Sequence, residues 1–77
     1  MAAVLSSTTT RERFAANLRK QRQRMALSQE ELGFKCDLHR TEISLLERAG
    51  REPRLWTIVK LSRALGVKPA DLLDGIG

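Results

Sequence analysis

Apolar residues recur along this chain at three- and four-residue spacings, and turn-forming or capping residues separate the runs. Phe14, Leu18 and Met25, with arginines between them, mark one face of a first helix running to about Met25. Its start falls at Thr9 or Thr10, where Thr9 and Glu12 have the spacing of a capping box. A second run opens on Ser28-Gln29-Glu30-Glu31, a stronger capping box because Leu32 and Cys36 follow at helical spacing. Glu31 and Lys35 add an i,i+4 pair of the favourable sense. This short helix stops near Cys36, and Asp37 tolerates the left-handed conformation that a tight turn between helices requires.

A third helix covers about Arg40 to Arg48, with Ile43, Leu46 and Glu47 inward and Thr41, Ser44, Leu45 and Arg48 outward. Gly50 and Pro53 mark the loop after it. The fourth, Leu55 to Leu65, carries Leu55, Ile58, Val59, Ser62 and Leu65 on one stripe and ends at Gly66. Pro69 opens a last short helix with Leu72, Leu73 and Ile76 apolar. No segment alternates like a strand, and no repeat or low-complexity tract is present. Residues 1–8 are small, polar and aperiodic and are expected to form a disordered arm. Residues 9–77 then make one all-α domain of five helices.

Such a domain has room for one small core. Domains below about 80 residues commonly need a metal or disulfide staple or very close packing. One cysteine and one histidine supply neither staple, which leaves helical packing, helped by dimerisation. Cys36 excludes an intrachain disulfide, fits a reducing cytosol, and is expected to be a small core residue. The opening "MAAVLSSTTT" has no basic start and no apolar stretch fit for a signal peptide, and no run suits a membrane span. The expectation is a soluble cytoplasmic protein.

Charge narrows the partners. Lys and Arg number 14 against 9 Asp and Glu, a net of +5, and all the basic residues but Lys68 lie between Arg11 and Arg63. A basic surface of this kind suits nucleic acid. With Phe14, Phe34 and Trp56 its only aromatics, the chain lacks the stacking platform that single strands require, so duplex DNA is the better fit. Two short helices joined by a three- or four-residue turn form a helix-turn-helix, whose second helix enters the major groove. That unit spans about residues 28–48. Gly33, in the middle of its first helix, suits a close approach of the two backbones.

"LSQEEL…DLHRTEIS…LER…P…L…LSRALGV…LL" resembles the phage-repressor type of helix-turn-helix, the family of Cro, the lambda-class (cI-type) repressors and the xenobiotic-response-element regulators. The resemblance covers roughly Phe14 to Leu73, and "LHRTEIS" is especially similar to one-domain bacterial regulators and restriction–modification controller proteins. It implies a compact five-helix, lambda-repressor-like fold and a cytoplasmic transcription regulator that binds a two-fold DNA site as a homodimer. No enzymatic activity and no cofactor are expected. The family commonly has glycine where Ala26, Asp37 and Ala49 stand, so the two alanines point to a different helix termination there. Ser or Thr caps are also commonly found where Arg54 and Lys68 precede the last two helices.

Named residues then acquire roles. The N-terminus of the second helix should face a phosphate, and the resemblance places the Gln29 amide on the DNA backbone. Arg40 and Thr41 open the reading helix. Arg40 suits a bidentate contact to guanine or, instead, a phosphate, and Thr41 suits a base edge or a thymine methyl. Glu42 either accepts from a cytosine N4 or orients a neighbouring arginine. Ser44 is a small groove-facing partner, and Leu45, bare on the outward face, fits a thymine methyl. His39 is a weak cap or a phosphate contact; without a ligand cluster it is no metal site. Arg48, Arg51 and Arg54 form a basic stretch for the flanking phosphates. The resemblance also pairs Arg22 with Glu47.

Phe34 and Trp56 have no groove to explain them. They are either covered by neighbouring groups or face a second protein partner. The competing reading is therefore a protein-interaction or antitoxin-like adaptor domain. An enzyme is weakest, because no acid–base pair, nucleophile elbow or phosphate-cradling loop is present.

Overall fold

The computed structural model describes residues 7–77, which form five helices: α1 Ser7–Arg24, α2 Gln29–Cys36, α3 Arg40–Glu47, α4 Leu55–Leu65 and α5 Pro69–Leu72. Helix α1 begins before the expected Thr9, so Thr9 and Glu12 lie inside it rather than at its cap. The expected arm thus loses Ser7 and Thr8 to the helix, and its remainder, 1–6, lies outside the described residues.

The helices close around Phe14 and Leu18 of α1, Leu32 and Cys36 of α2, Ile43 and Leu46 of α3, Leu61 and Leu65 of α4, and Leu72 of α5. Burying each large apolar side chain is worth about 1.5–3 kcal/mol. Three expected core residues are exposed instead. Met25 follows the last residue of α1, so helical phase no longer governs it, and it is half open to solvent. Leu55 opens α4 and is 79% exposed. Leu73 lies beyond the last turn of α5 and is also exposed. Helix α4 turns Thr57, Leu61, Ser62 and Leu65 inward, with Ile58 packed beside them, a stripe rotated from the expected one.

Helices α1 to α4 all stop in the same way. Ala26, Asp37, Ala49 and Gly66 take left-handed φ values of 56°, 58°, 59° and 69°. The amide of each following residue then donates back five positions: Leu27 to Arg22, Leu38 to Gly33, Gly50 to Leu45 and Val67 to Ser62. This is the Schellman turn, which satisfies the last carbonyls of a helix. The alanines were expected to change the termination, and they do not. Leu27 and Leu38 pack against the core after Ala26 and Asp37, and that packing offsets the roughly 1–2 kcal/mol that an L-residue costs in such a turn. After Ala49 the Arg11 guanidinium, bonded to the Ala49 carbonyl, holds the turn instead.

The turn between α2 and α3 fixes the helix-turn-helix. A Cβ at Gly33 would overlap the carbonyl oxygen of Leu38, so only glycine lets the chain fold back so tightly. The Ser28 hydroxyl accepts from the Glu31 amide at 3.0 Å while the Glu31 carboxylate accepts from the Ser28 amide at 2.8 Å, completing the capping box. The Ser28 amide, then the Ser28 hydroxyl, holds the Glu31 carboxyl below its ordinary range.

Candidate nucleic-acid interface

Helix α3 is short enough that its two faces have separate jobs. Ile43 and Leu46 anchor it in the core, and Arg40, Thr41, Ser44 and Arg48 stand outward on the opposite side. Gln29, Arg40, Thr41 and Ser44 line one shallow depression where the N-terminus of α2 meets α3. The N-termini of α2 and α3 lie close to it, and the positive end of each helix dipole favours an anion. His39 caps α3, its Nδ1 accepting from the Thr41 amide at 3.0 Å. The cap reading of His39 is thus realised.

Leu45 is less bare than its position suggests. It is half-buried, and its Cδ2 leans over the backbone at Gly50. Arg48 is the C-cap of α3, with Nε donating to the Ser44 carbonyl at 3.3 Å. Arg54 is the exposed N-cap of α4 and makes no side-chain cap bond. Arg51 lies between them with its NH1 on Glu42 Oε1. Contact with a neighbouring arginine is one of the two roles open to Glu42.

Beneath this surface lies a polar node. Glu47 is 5% exposed. It accepts from Arg22 Nε at 2.6 Å and Arg22 NH2 at 2.9 Å, the bidentate geometry in which a guanidinium fork matches a carboxylate. Arg22 NH1 donates to the Leu27 carbonyl at 2.8 Å, so the same side chain also fastens the turn after α1. The hydrogen bond to Glu47, reinforced by its charge, raises the Arg22 pKa above its ordinary value. Gln29 joins the node, Nε2 donating to Glu47 Oε1 at 3.1 Å. Part of the amide expected on the DNA backbone is therefore occupied, leaving its oxygen and second hydrogen for an outside partner.

Sequence reasoning missed two arginines here. Arg19 NH1 donates to the Glu47 carbonyl at 3.0 Å and Arg11 Nε to the Ala49 carbonyl at 3.1 Å. Both close the C-terminal end of α3, which has no basic residue in its own last turn. That lack was the available signal. Some of the basic balance of α1 is thus spent on internal carbonyls.

The two unexplained aromatics separate. Phe34 is 89% exposed, so no neighbouring helix covers it. Trp56 is 58% exposed, with the Arg63 guanidinium 5.6 Å from its ring centroid, a cation–π contact. Cys36 is a core thiol, its Sγ directed at the Leu32 carbonyl, and burial pushes its pKa up. No helix among the described residues is long and apolar enough to cross a membrane.

Comparison with known proteins bears on this surface. A protein-family model described as helix-turn-helix, HTH_3, matches residues 18–72. The control protein C.BamHI of Bacillus amyloliquefaciens is 60% identical over 48 residues, which span 62% of this chain and 59% of that relative. The solved restriction-modification controller protein C.AhdI from Aeromonas hydrophila is 37% identical with a TM-score of 0.79, over 80% of this chain and 94% of that one. A hypothetical transcription factor, NHTF, from Neisseria is 37% identical with a TM-score of 0.81, over 95% of this chain and 84% of that one.

Proposed function

The chain belongs to the HTH_3 helix-turn-helix family, and from that premise we propose that it is a sequence-specific regulator of transcription that binds double-stranded DNA as a homodimer. Helix α3 enters the major groove. Arg40, Thr41, Ser44 and the exposed part of Leu45 read base edges, and Gln29, His39, Arg48, Arg51 and Arg54 meet phosphates. The observation that carries this reading is the depression lined by Gln29, Arg40, Thr41 and Ser44. It joins a helix N-terminus suited to phosphate with side chains suited to base edges, on a helix locked from beneath by Arg22 and Glu47.

Two copies on a two-fold site follow the geometry of this docking mode, in which half-sites recur about one helical turn apart. Leu55 and Val59 lie one turn apart on α4, and Leu55 is exposed without a role in the core, which supports a protein contact there. The likeness to C.AhdI, a restriction-modification controller protein, and to the control protein C.BamHI supports a role in controlling genes of such a system, in the cytoplasm, where the DNA lies. The test is selection of bound sequences from random duplexes, followed by titration of the selected site. Wild type should prefer it strongly over scrambled DNA, and Arg40→Ala with Thr41→Ala should abolish that preference while the fold persists. Equal binding of scrambled and selected sites would refute it.

The second reading, a protein-interaction domain, draws on the exposure of Phe34. A chain that binds no duplex, but loses a protein partner on Phe34→Ala, would favour it.

A further inference from the structure

Glu42 is an anomaly on a surface assigned to DNA. It stands in the first turn of α3, beside Thr41, where the field of the phosphates disfavours an acid. Its Oε1 accepts from Arg51 NH1 at 2.5 Å, and the two residues are nine positions apart. The Glu42 side chain is 23% exposed and that of Arg51 54%. The pair therefore ties the loop after α3 to the start of α3, over a cleft of about 470 Å³ lined also by Leu38, Glu52, Arg54 and Thr57. A guanidinium carries five N–H donors in a planar fork. Among the described residues Glu42 engages one amino group of Arg51, which leaves Nε and the other amino group for a second acceptor.

We infer that Glu42 is a positioning residue for DNA binding: it holds Arg51 against the recognition helix so that the remaining donors of the guanidinium meet the phosphate flanking the groove. The inference rests on the proposed DNA reading. An arginine free in solution loses rotamer freedom when it grips a phosphate, whereas one already held has lost it beforehand. Against this stands the repulsion between the Glu42 carboxylate and DNA. The bound guanidinium neutralises that charge locally, and solvent and salt screen what is left. Positioning and repulsion have opposite signs, so removing Glu42 decides between them.

The experiment is a double-mutant cycle. Wild type, Glu42→Ala, Glu42→Gln, Arg51→Ala and the Glu42→Ala/Arg51→Ala double variant are titrated by fluorescence anisotropy against the selected duplex and a scrambled one, across a salt series. Circular dichroism melts set a temperature at which all five are folded. Glu42→Ala should weaken binding to both duplexes by about three- to tenfold, the range of a modest pairwise coupling. Its slope of log K against log salt should become shallower by about one, as for the loss of a phosphate contact. Glu42→Gln keeps an acceptor for Arg51 and should retain most of the affinity. In the Arg51→Ala background, removing Glu42 should weaken nothing further. Tighter binding by Glu42→Ala in both backgrounds would overturn the inference and leave Glu42 a repulsive charge. A loss confined to the selected duplex and independent of Arg51 would also overturn it, assigning Glu42 to a base edge. Either result requires wild type to bind DNA; if wild type binds neither duplex, it is the functional reading that fails.

Discussion

Glu47→Ala tests the polar node beneath the interface. The substitution deletes an acceptor for three side-chain N–H groups: Arg22 Nε, Arg22 NH2 and Gln29 Nε2. It leaves the Arg22 side chain, only 14% exposed, with the Leu27 carbonyl and little else to offset its charge. Breaking a buried ion pair from one side costs about 3–5 kcal/mol, and the residual exposure of Arg22 argues for about 3. A domain of 60–100 residues loses roughly 4–8 °C in Tm per kcal/mol, so the melt should fall by about 12–24 °C. The assay is thermal unfolding by circular dichroism at fixed protein concentration, because a dimer makes Tm depend on concentration. A control separates charge from packing. Replacing both partners by apolar residues, Arg22→Met with Glu47→Leu, should recover much of the loss, since a well-packed apolar pair is often neutral or stabilising relative to a buried ion pair. A Glu47→Ala melt within about 3 °C of wild type, well under 1 kcal/mol, would refute the reasoning. It would show that solvent reaches the Arg22 guanidinium easily.

Other outcomes follow from features already described. Ala26→Gly and Ala49→Gly should each raise stability by about 0.5–1 kcal/mol in the same melts, because the relief of a left-handed alanine, about 1–2 kcal/mol, exceeds the entropy that glycine adds to the unfolded chain. Gly33→Ala should lower stability by about 2 kcal/mol or more, because its Cβ meets the Leu38 carbonyl rather than a flexible side-chain tip. If a dimer neutralises roughly six to eight phosphates, anisotropy titrations should give a slope of log K against log salt of about −5 to −7, and a slope near zero would exclude duplex DNA as the partner. Replacing a contacted thymine by uracil should weaken wild type by less than the ~1–3 kcal/mol of a bidentate base contact, and Leu45→Ala should erase that difference. Because Leu45 is half-buried over Gly50, the same substitution should also cost about 1 kcal/mol of stability.

Legibility in the sequence followed distance along the chain. The capping box of α2, the left-handed Asp37 and the bounds of α2 and α4 are written in adjacent residues, and the structure has them as expected. The Arg22–Glu47 pair spans 25 positions, and only the family resemblance singled it out. Arg11 and Arg19 reach carbonyls 38 and 28 positions away, and nothing local distinguishes them from solvated arginines. Met25 and Leu55 failed for another reason. Helical periodicity says which residues share a face but not where the helix stops, nor which face meets its neighbours. The left-handed alanines were hidden because alanine itself favours no such conformation. The apolar residues after three of the four turns, Leu27, Leu38 and Val67, carried the readable sign, since the Schellman turn commonly adds an apolar contact there; the turn at Ala49, followed by Gly50, had none. For the interface, periodicity gave the outward face of α3, but not that Glu42 holds Arg51 or that Gln29 is bonded to Glu47.

The link from Gln29 through Glu47 to Arg22 bears on where adjustment occurs when the domain meets DNA. One carboxylate gathers the first residue of α2, the last residue of α3 and a side chain of α1. On the proposed reading, the residue touching the backbone and the helix reading the bases cannot tilt independently without breaking that junction. The protein therefore behaves as a rigid gauge of the offset between a phosphate and the neighbouring base edges. A site whose groove width or twist departs from that offset has to be bent or unwound to fit, and the energy of doing so depends on its base steps. Positions that no side chain touches would then carry sequence preference through the stiffness of the duplex.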